Sequence, residues 1–543
     1  MSMTQLYSET LGGGLAVAPH AQAAVSAAAV LAEGGNAIEA CVAMAATLSA
    51  VYPHMTGLGG DSFWLLHEPG GKVQSVLACG RSAANINRQQ YLAQGLSSIP
   101  YRGGQAAITV AGTVSGWQQA LEISAQQWHG RLTLSRLLND AIHYCRDGYT
   151  VTNSQAHATS SKLDQLITQP GFADVFLIDG KPPVSGGMLK QTALAKTLEH
   201  LARTGLNDFY HGELAESIAA DLTHAGSPLS FDDLITHQAQ LAEPLHLRTA
   251  TADLYTTTAP TQGAATLMIL GQFARRPTGM AIAEDADTVH LLVEATKQAF
   301  LLRNREIRDP QLMSMAAQQL LDPQQLDSMA AAIDAESATP WGVPSSPADT
   351  TWFGAIDAEG RSVSCIQSIY HEFGSGVILP ESGLCWQNRG ASFSLQAGHV
   401  LELQPRTLPF HTLCPSMAHF DDGRRMVFGT MGGDGQPQTQ SILFTRYADY
   451  AQPLSDAIAA PRWVLGRTWG DHSDNLKLES RFDAALIDEL RQRGHDLVLL
   501  DDYDETVGHA GAIVYHPDGR VEGASDPRSD GAAVAANAVN KHD

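Results

Sequence analysis

The chain contains the stretch Asp349-Thr-Thr-Trp-Phe-Gly-Ala-Ile356 directly after a segment rich in proline and serine, Glu336 to Ala348. The earlier segment is predicted to be an exposed loop, because proline and serine favour turns and extended chain over helix. The later one has the residue pattern of a β-strand. A threonine at such a junction is a candidate N-terminal nucleophile. Once the Asp349–Thr350 bond is cut, the Thr350 hydroxyl can attack a substrate while its own α-amine acts as the base.

A partner strand is predicted directly after the first. The stretches Thr351 to Asp357 and Ser362 to Tyr370 flank a glycine turn and together predict a hairpin. Side chains alternate along a strand, so Ser368 and Tyr370 share one face of the outgoing strand. We expect the Ser368 hydroxyl, one strand over from Thr350, to orient the freed amine.

A third element lies further along the chain. Arg425 to Thr430 is predicted to be a strand and Pro437 to Tyr447 a helix, with the turn Met431-Gly-Gly-Asp-Gly435 between them. A helix start after a glycine turn presents free backbone N–H groups and forms a natural anion site. The N–H groups of Gly432 and Gly433 are therefore candidates for holding a tetrahedral oxyanion.

Two helices rich in small residues are predicted near the start of the chain, from about His20 to Glu33 and from Asn36 to Val51. A hairpin follows, Ser62 to His67 and Val73 to Ala78, and Arg81 comes shortly after it. A guanidinium at this place could bind a carboxylate through two hydrogen bonds.

Helical patterning dominates from Trp117 to about Asp334, where apolar residues recur at helical spacing. Beyond Asp526 the tail is rich in Ala, Asn and Asp and is predicted to fray.

The composition limits the class of protein. With 543 residues, 44% hydrophobic and 17% charged, the chain is a large globular protein. Its net charge of −23 repels phosphate, which excludes nucleic acid and anionic membrane surfaces as partners. The first residues lack the features of a secretory signal, and the longest apolar helical stretch, Ala37 to Val51, is too short to cross a bilayer. We therefore expect a cytoplasmic protein.

The six cysteines have neither disulfide-like nor metal-ligand spacing. In a large cytoplasmic chain they are expected to be reduced core residues. The sequence predicts no disulfide, no metal site and no cofactor.

Taken together, the motifs resemble those of the γ-glutamyltransferase family, whose members are self-cleaving N-terminal nucleophile hydrolases. The resemblance covers nearly the whole chain and implies an α+β fold, an αββα four-layer sandwich. It also implies cleavage into a helix-rich fragment 1–349 and a fragment 350–543 that stay together as one unit. The resembling segments are Gly34-Gly-Asn-Ala37, Pro53-His-Met-Thr-Gly-Leu-Gly-Gly60, Gly80-Arg-Ser-Ala-Ala84, Val110-Ala-Gly-Thr-Val-Ser-Gly116, Glu294-Ala-Thr-Lys-Gln-Ala-Phe300, Asp349-Thr-Thr351, Phe373-Gly-Ser-Gly376, Glu381-Ser-Gly383, Gly432-Gly433 and Ala459-Ala-Pro-Arg462.

The resemblance implies roles for residues around the nucleophile. Thr350 matches the nucleophile itself, and Thr351 the threonine that follows it. Ser368 matches a threonine that supports the nucleophile's amine. Gly432 and Gly433 match the oxyanion glycines.

The same resemblance assigns a substrate-binding part of the site, and here the chain departs from glutamyl-specific members. Arg81 matches the arginine that binds the substrate α-carboxylate. The departures are Tyr370 in place of an asparagine, Ser392 in place of the acidic residue that binds the α-amino group, Arg389 in place of a glutamine or glutamate, and His411-Thr412 in place of paired serines.

These departures predict a changed substrate. A free α-amino group bound without a carboxylate loses hydration without compensation, so a γ-glutamyl donor is disfavoured. Arg81 and Arg389 suit a small amide that carries a carboxylate and no ammonium, and the bulk of Tyr370 suits a short pocket. Oxamate, hydrolysed to oxalate and ammonia, is the smallest such acid.

This substrate fits an intracellular catabolic enzyme, for example in purine or allantoin catabolism. A γ-glutamyl hydrolase or transpeptidase, a glutaryl-type acylase and a silent binding homologue remain the alternatives, and a homo-oligomer is compatible with the sequence.

Overall fold

The computed structural model describes residues 5–276, 282–342, 349–466 and 474–539. The strands are β1 (Tyr7–Leu11), β2 (Leu15–Ala18), β3 (Asp61–His67), β4 (Gln74–Ala78), β5 (Tyr149–Thr150), β6 (Met188–Leu189), β7 (Gln240–Ala242), β8 (Leu245–Arg248), β9 (Ala252–Thr256), β10 (Asp349–Ile356), β11 (Ser362–Tyr370), β12 (Ser416–Phe420), β13 (Arg425–Thr430), β14 (Trp463–Leu465), β15 (Leu476–Glu479), β16 (Leu497–Leu500), β17 (Ala510–Tyr515), β18 (Arg520–Ser525) and β19 (Ala532–Ala535).

The helices are α1 (Ala21–Ala32), α2 (Ala37–Val51), α3 (Arg88–Ala93), α4 (Thr113–Gln127), α5 (Leu134–Asp147), α6 (Asn153–Ser161), α7 (Leu163–Leu166), α8 (Phe172–Phe176), α9 (Thr192–Thr204), α10 (Asp208–His211), α11 (Glu213–His224), α12 (Phe231–Ile235), α13 (Gly263–Phe273), α14 (Ala286–Glu306), α15 (Pro323–Ala331), α16 (Gly435–Ala448), α17 (Leu454–Ala459), α18 (Ala484–Gln492) and α19 (Ala536–Val539).

Two antiparallel sheets of seven strands form the centre of the protein. One has the order β1-β18-β17-β13-β12-β9-β8 and the other the order β19-β2-β10-β11-β3-β4-β7. Each sheet combines strands that precede Thr350 in the chain with strands that follow it. The two halves of the sequence are therefore interleaved in both sheets.

The alternation of side chains along the strands explains the layers. Phe63, Ile366 and Val427 point into an apolar core between the two sheets. Their sequence neighbours Trp64 and Phe428 point the opposite way, into two further cores that lie between a sheet and the helices outside it. The expected αββα sandwich is thus confirmed.

The sequence of α2 shows why a helix packs against this sheet. All its residues are buried, and most are small, so neighbouring helices and the sheet can approach closely. Its start carries a capping box, in which Asn36 accepts hydrogen bonds from the first turn and the Glu39 carboxylate accepts from the Asn36 N–H at 2.8 Å. The predicted helix from Asn36 to Val51 is confirmed.

Strand β10 lies in the middle of its sheet, between β2 and β11. Asp349 pairs with Tyr370 and Thr351 with Gln367, so the register shifts at Thr350. A bulge of this kind re-aims a side chain and is common next to active sites. The predicted hairpin of β10 and β11 is confirmed, and so is the earlier hairpin of β3 and β4.

One expectation from the sequence is wrong. The tail beyond Asp526 does not fray from there, because Ala532 to Ala535 form β19, which pairs with β2 from the other end of the chain. Pairing with a distant strand overrides the local composition there. Helices dominate between Trp117 and Asp334, as predicted, and β8 and β9 in the same region complete the edge of the first sheet.

Residues 343–348 of the predicted loop before Thr350 lie outside the described residues. The prediction of reduced core cysteines is confirmed. All six cysteines are free and buried. Among the helices in the described ranges, none has both the length and the apolar character needed to cross a membrane.

Candidate active site

Thr350 is almost completely buried at the bulge in β10. Its hydroxyl oxygen accepts a hydrogen bond from Gln436 Nε2 at 3.2 Å. The other end of that amide, Gln436 Oε1, accepts a hydrogen bond from the Cys414 N–H at 3.2 Å. Gln436 therefore holds the candidate nucleophile in a defined place, a role that the sequence did not suggest.

The neighbours of Thr350 divide between the two faces of the sheet. The Thr351 hydroxyl donates to the Gln367 carbonyl oxygen at 2.8 Å, and the Gln367 amide bonds Ser49 of α2. Thr351 thus lies on the helix side and not with the expected substrate contacts. Ser368 lies on the opposite face, where its hydroxyl oxygen accepts from the Tyr370 N–H at 2.8 Å.

The turn before α16 contains the two glycines predicted to hold an oxyanion. Gly432 and Gly433 have φ values of 113° and 53°, which glycine adopts without strain. The turn leads into α16 through a hydrogen bond from the Gln436 N–H to the Gly433 carbonyl oxygen at 3.2 Å. Neither glycine N–H donates to another group within the described part of the chain. The residue that contacts Thr350 is therefore bonded to the same turn.

A buried network fixes this turn from behind. Gln262 Nε2 donates to the Gly433 and Thr412 carbonyl oxygens, each at 2.8 Å. Arg303 donates to Asp434 at 2.9 Å and to Gln262 Oε1 at 2.6 Å. These bonds tie the candidate oxyanion turn to the segment that carries His411 and Thr412.

Arg389 is a buried cation in this region. It begins a 3₁₀ turn that ends at Ser392, and 1% of its surface is exposed. The guanidinium carbon lies 3.8 Å from the centre of the Tyr370 ring, and Nη1 lies 3.4 Å from Thr412 Oγ1. Burial lowers the pKa of Arg389 to about 10, so the side chain remains charged at neutral pH.

Tyr370 supports this cation in a strained conformation. Its φ of 82° lies in the left-handed region, which a bulky residue adopts only when its surroundings force it. Such strain is typical of functional sites. The ring forms a cation–π contact that compensates part of the desolvation of Arg389.

A second ionisable pair lies beside Arg389. Asp61 and His411 are both completely buried, with Asp61 Oδ2 and His411 Nε2 at 3.4 Å. Neither of these two atoms forms a hydrogen bond with the residues that the structure describes. Burial raises the pKa of Asp61 to about 7, while burial and the nearby Arg389 hold the pKa of His411 well below its usual range.

Arg81 lines a cavity of about 360 Å³ together with Cys79, His237 and Leu408. Its Nη1 already donates to Asp309 Oδ2 at 2.7 Å, so its charge is partly neutralised. Cys79 connects this cavity to the buried cluster, because the charges of Asp61, Arg81 and Arg389 all act on the pKa of its thiol. Burial raises that pKa well above its usual range.

The structure brings most of the expected site residues into two neighbouring groups. One is formed by Thr350, Ser368 and the glycine turn, and the other by Tyr370, Arg389, His411 and Thr412. Ser392 closes the turn that begins at Arg389, and its hydroxyl oxygen is buried without a partner in the described chain. Arg81 lies at the cavity beyond Cys79, and the side chain of Asp349 lies outside the described residues.

Sequence reasoning missed Asp61 and Gln436. Asp61 follows the turn that ends at Gly59-Gly60, where a Cβ on Gly60 would lie 2.1 Å from the Ser368 carbonyl oxygen. This close approach fixes Asp61 next to β11. The sequence offered no distinct signal for Asp61, since β3 also carries the polar residues Ser62 and His67.

One other cluster could hold a metal by its residue types. The candidate ligand atoms of His290, Glu294 and His495 lie within 4.8 Å of one another. His290 and His495 are bonded to each other at 2.8 Å, and Glu294 is paired with Lys297 at 2.6 Å. These groups therefore satisfy one another as a hydrogen-bonded network, and nothing in their arrangement requires an ion.

Comparison with known proteins finds relatives that match nearly the whole chain. A family model described as gamma-glutamyltranspeptidase matches residues 23–536. An oxamate amidohydrolase proenzyme of Klebsiella pneumoniae subsp. pneumoniae is 53% identical over 521 residues, covering 96% of this chain and 98% of the relative. A glutathione hydrolase-like proenzyme of Bacillus subtilis is 39% identical over 526 residues, with coverage of 96% and 98%. The solved structure of a cephalosporin acylase from Bacillus halodurans has a TM-score of 0.88 at 27% identity, covering 98% of this chain and 97% of that one. This chain belongs to the gamma-glutamyltranspeptidase family.

Proposed function

We propose that this protein is a self-cleaving amidohydrolase that acts on a small linear amide carrying a carboxylate, with oxamate as the first candidate. Its relatives include hydrolase proenzymes, and the relative from Klebsiella is an oxamate amidohydrolase proenzyme. The substrate is thus a proposal for this chain, supported by a relative and by the charges of the candidate site.

The observation that carries the proposal is the buried guanidinium of Arg389. Within the described residues, no carboxylate forms a hydrogen bond with it, and its Nε has no partner. A buried charge without an ionic partner is costly, and proteins retain one where function requires it. A substrate carboxylate would supply the missing counter-charge.

Self-cleavage would come first. Thr350 Oγ1 attacks the Asp349 carbonyl carbon, and the peptide bond is replaced by an ester. Water then hydrolyses the ester, which leaves a carboxylate on Asp349 and a free α-amine on Thr350. Gln436, bonded to the Thr350 hydroxyl at 3.2 Å, keeps the nucleophile oriented. The fragments 1–349 and 350–543 would remain together through the shared sheets.

Turnover would use the same hydroxyl. The freed amine takes the hydroxyl proton, Oγ1 attacks the amide carbon of oxamate, and the N–H groups of Gly432 and Gly433 stabilise the oxyanion. Collapse of the intermediate transfers the proton to the leaving nitrogen and releases ammonia, with the oxalyl group as an ester on Thr350. Water cleaves that ester and releases oxalate. The overall reaction consumes one water for each oxamate.

A γ-glutamyl substrate is the second candidate, and Asp61 is the observation that favours it. An ionised Asp61 could pair with an α-ammonium group. It would then take over the role of the acidic residue that glutamyl-specific members have at the position of Ser392. Its raised pKa argues against this, because the carboxyl group is only partly ionised at neutral pH. The acylase-type alternative, with a longer acyl group, is supported by the structural similarity to the cephalosporin acylase, at 27% sequence identity.

The test combines intact mass with a substrate panel. The mass of the purified protein should correspond to a cut between Asp349 and Thr350. Ammonia release should be measured from oxamate and from its homologues with one and two additional methylenes, and release of the coloured aniline from a chromogenic γ-glutamyl anilide. We expect the highest kcat/KM with oxamate and a decline as the chain lengthens.

Different outcomes would reject different parts of the proposal. A single uncut chain without amidase activity would indicate a silent binding homologue. Release from the anilide but none from oxamate would establish the γ-glutamyl alternative. A preference for the longest acid would indicate an acylase.

A further inference from the structure

Asp61 lies in the sheet between the candidate nucleophile and the candidate substrate-binding cations. It begins β3 and pairs with Ser368 of β11, which in turn lies next to the bulge at Thr350. Residues opposite each other in an antiparallel ladder share a face, so the Asp61 side chain lies on the same side of the sheet as that of Ser368. The next strand of the sheet, β4, ends just before Cys79, which lines the 360 Å³ cavity. Cys79 therefore lies on the side of Asp61 that faces away from Ser368. Asp61 thus lies between the candidate nucleophile and the cavity that Arg81 lines.

The two oxygens of Asp61 have different surroundings. Oδ1 accepts hydrogen bonds from the Gly112 N–H at 2.9 Å and from Gln387 Nε2 at 3.1 Å. Oδ2 accepts none of good geometry from the described residues, although it is completely buried. One oxygen is therefore structural, and the other is available to a ligand.

The charges around Asp61 come from several elements. Arg389 faces it from the 3₁₀ turn and His411 from the segment before β12, and both lack partners for some of their nitrogen atoms. Cys79 at the end of β4 and Tyr210 of α10 are also within electrostatic reach, and the Gly80 N–H faces the carboxyl group. Arg389 is the cation in this set, and it makes no hydrogen bond to Asp61.

We propose that Asp61 acts as a neutral carboxylic acid that donates a hydrogen bond to the carboxylate of the substrate, and that it is thereby a specificity-determining residue. The inference rests on the proposed function, because it takes a carboxylated amide as the ligand. Asp61 receives the acid group of the substrate together with Arg389 and takes no part in the bond changes at Thr350.

Charge balance is the physical reason to expect that Asp61 is protonated when the substrate binds. The site holds one strong buried cation, Arg389, and an incoming carboxylate matches it one to one. An ionised Asp61 would add a second negative charge at the same place and compete with the substrate for Arg389. A protonated Asp61 removes that repulsion and offers an O–H donor. Burial supports this form, since it raises the pKa of Asp61 to about 7 before any substrate binds.

The proposal predicts how substrate affinity changes with pH. Below about pH 6 the acid is protonated and KM for oxamate should be constant. Above about pH 7 only the protonated fraction binds, so KM should rise roughly tenfold for each pH unit.

The decisive experiment compares the wild-type protein with Asp61→Asn between pH 5.5 and 9, with kcat and KM measured separately for oxamate. Asparagine keeps an acceptor for Gly112 and a donor for the substrate, but it does not titrate. The ratio of wild-type to variant KM should be near one at pH 6 and roughly 100 at pH 9. Asp488→Asn, an exposed site on α18, is the matched control and should keep the wild-type profile.

Several results would overturn the inference. A wild-type KM that does not change with pH, or a rise that persists unchanged in Asp61→Asn, would exclude the neutral-acid role while leaving oxamate as the substrate. Absence of oxamate turnover at every pH would instead reject the substrate, and with it the partner proposed for Asp61. A wild-type KM that stays constant with pH overturns the inference even if the variant fails to fold.

Discussion

Asp61 and Asp526 are the same residue type, both completely buried, yet their pKa values are shifted in opposite directions. Asp526 Oδ2 accepts from the Ala510 N–H at 2.7 Å and from Arg462, and Oδ1 accepts from Arg528 Nη1 at 3.0 Å. These partners lower its pKa to about 2. Asp61 has no ionic hydrogen-bond partner, and burial raises its pKa to about 7.

The difference shows how one fold uses buried charge in two ways. In the cluster of Asp526, Glu479, Arg462 and Arg528 all four carboxylate oxygens are hydrogen-bonded, so the charges are satisfied inside the protein. In the cluster of Asp61, Arg389 and His411 several atoms have no partner among the described residues. The first cluster stabilises the structure, and the second has its bonding capacity left for a ligand.

The largest effect is expected from Thr350→Ala, which should separate chemistry from stability. Without the hydroxyl, self-cleavage should stop and activity should fall by a factor on the order of 10⁶, as on loss of a nucleophile in serine hydrolases. Intact mass and ammonia release measure the two effects. The far-UV circular dichroism spectrum should change little, because a single small side chain is altered, whereas thermal unfolding would compare one uncut chain with two fragments. A variant that is still cut at this bond would show that Thr350 is not the nucleophile.

Asp526→Asn should have the largest effect on stability. It leaves Arg462 and Arg528 with too little negative charge, and breaking a buried ion pair from one side costs about 3–5 kcal/mol. Denaturant unfolding of the uncut Thr350→Ala background measures the change. In the parent protein the stabilisation should be present above about pH 4 and lost as the pH falls toward 2, because the folded pKa lies below the unfolded one. An unchanged free energy of unfolding would contradict the assignment of this cluster as structural.

Asp61→Asn is the same type of substitution as Asp526→Asn, but at pH 8 it is expected to raise the free energy of unfolding instead of lowering it. The folded pKa of Asp61 lies above its unfolded value, so the parent protein should lose stability, by roughly 1.4 kcal/mol per pH unit, between about pH 4 and pH 7. Asparagine does not titrate, so the variant should be the more stable of the two at pH 8. The unfolding free energies of both, measured at pH 5 and pH 8 in the Thr350→Ala background, test this. A loss of stability at pH 8 would place Asp61 with Asp526 as a structural charge.

Gln436→Leu should have the smallest effect of the four. It removes the hydrogen bond to the Thr350 hydroxyl at 3.2 Å but leaves the turn of Gly432 and Gly433 in place. A neutral hydrogen bond contributes about 1 kcal/mol, so kcat and the rate of self-cleavage should each fall roughly five- to tenfold. Rapid-quench and mass measurements give both rates. Equal rates in the parent and the variant would mean that other groups orient the nucleophile.

The parts of the fold that follow local patterns could be predicted from the sequence. The capping box and apolar face of α2, the hairpins around Trp64 and Phe353, and the glycine turn at Gly432 all carry short-range signals. Strand β19 could not be predicted, because its stability comes from pairing with β2, more than five hundred residues away in the chain.

The candidate site, like the fold, could be predicted from the sequence only where its residues belong to local motifs. The candidate nucleophile, the glycine pair and the cations belong to motifs, and so they could be named in advance as candidates. Asp61 and Gln436 act through atoms that approach from distant segments, and no local pattern distinguishes them from ordinary polar residues. Arg81 was predictable as a cation, but its ion pair with Asp309 depends on the packing of a separate loop.

The interleaving of strands from both halves of the chain in the two sheets has a consequence for the order of events. Before the cut, folding is a reaction of one molecule, in which β10 inserts between β2 and β11 with its partners tethered. After the proposed cut at Thr350, the same arrangement would have to form from two separate chains, at a rate that depends on their concentration. The uncut chain therefore assembles both sheets within one molecule. A cut molecule that unfolds in dilute solution would have lost the covalent connection that allowed this assembly.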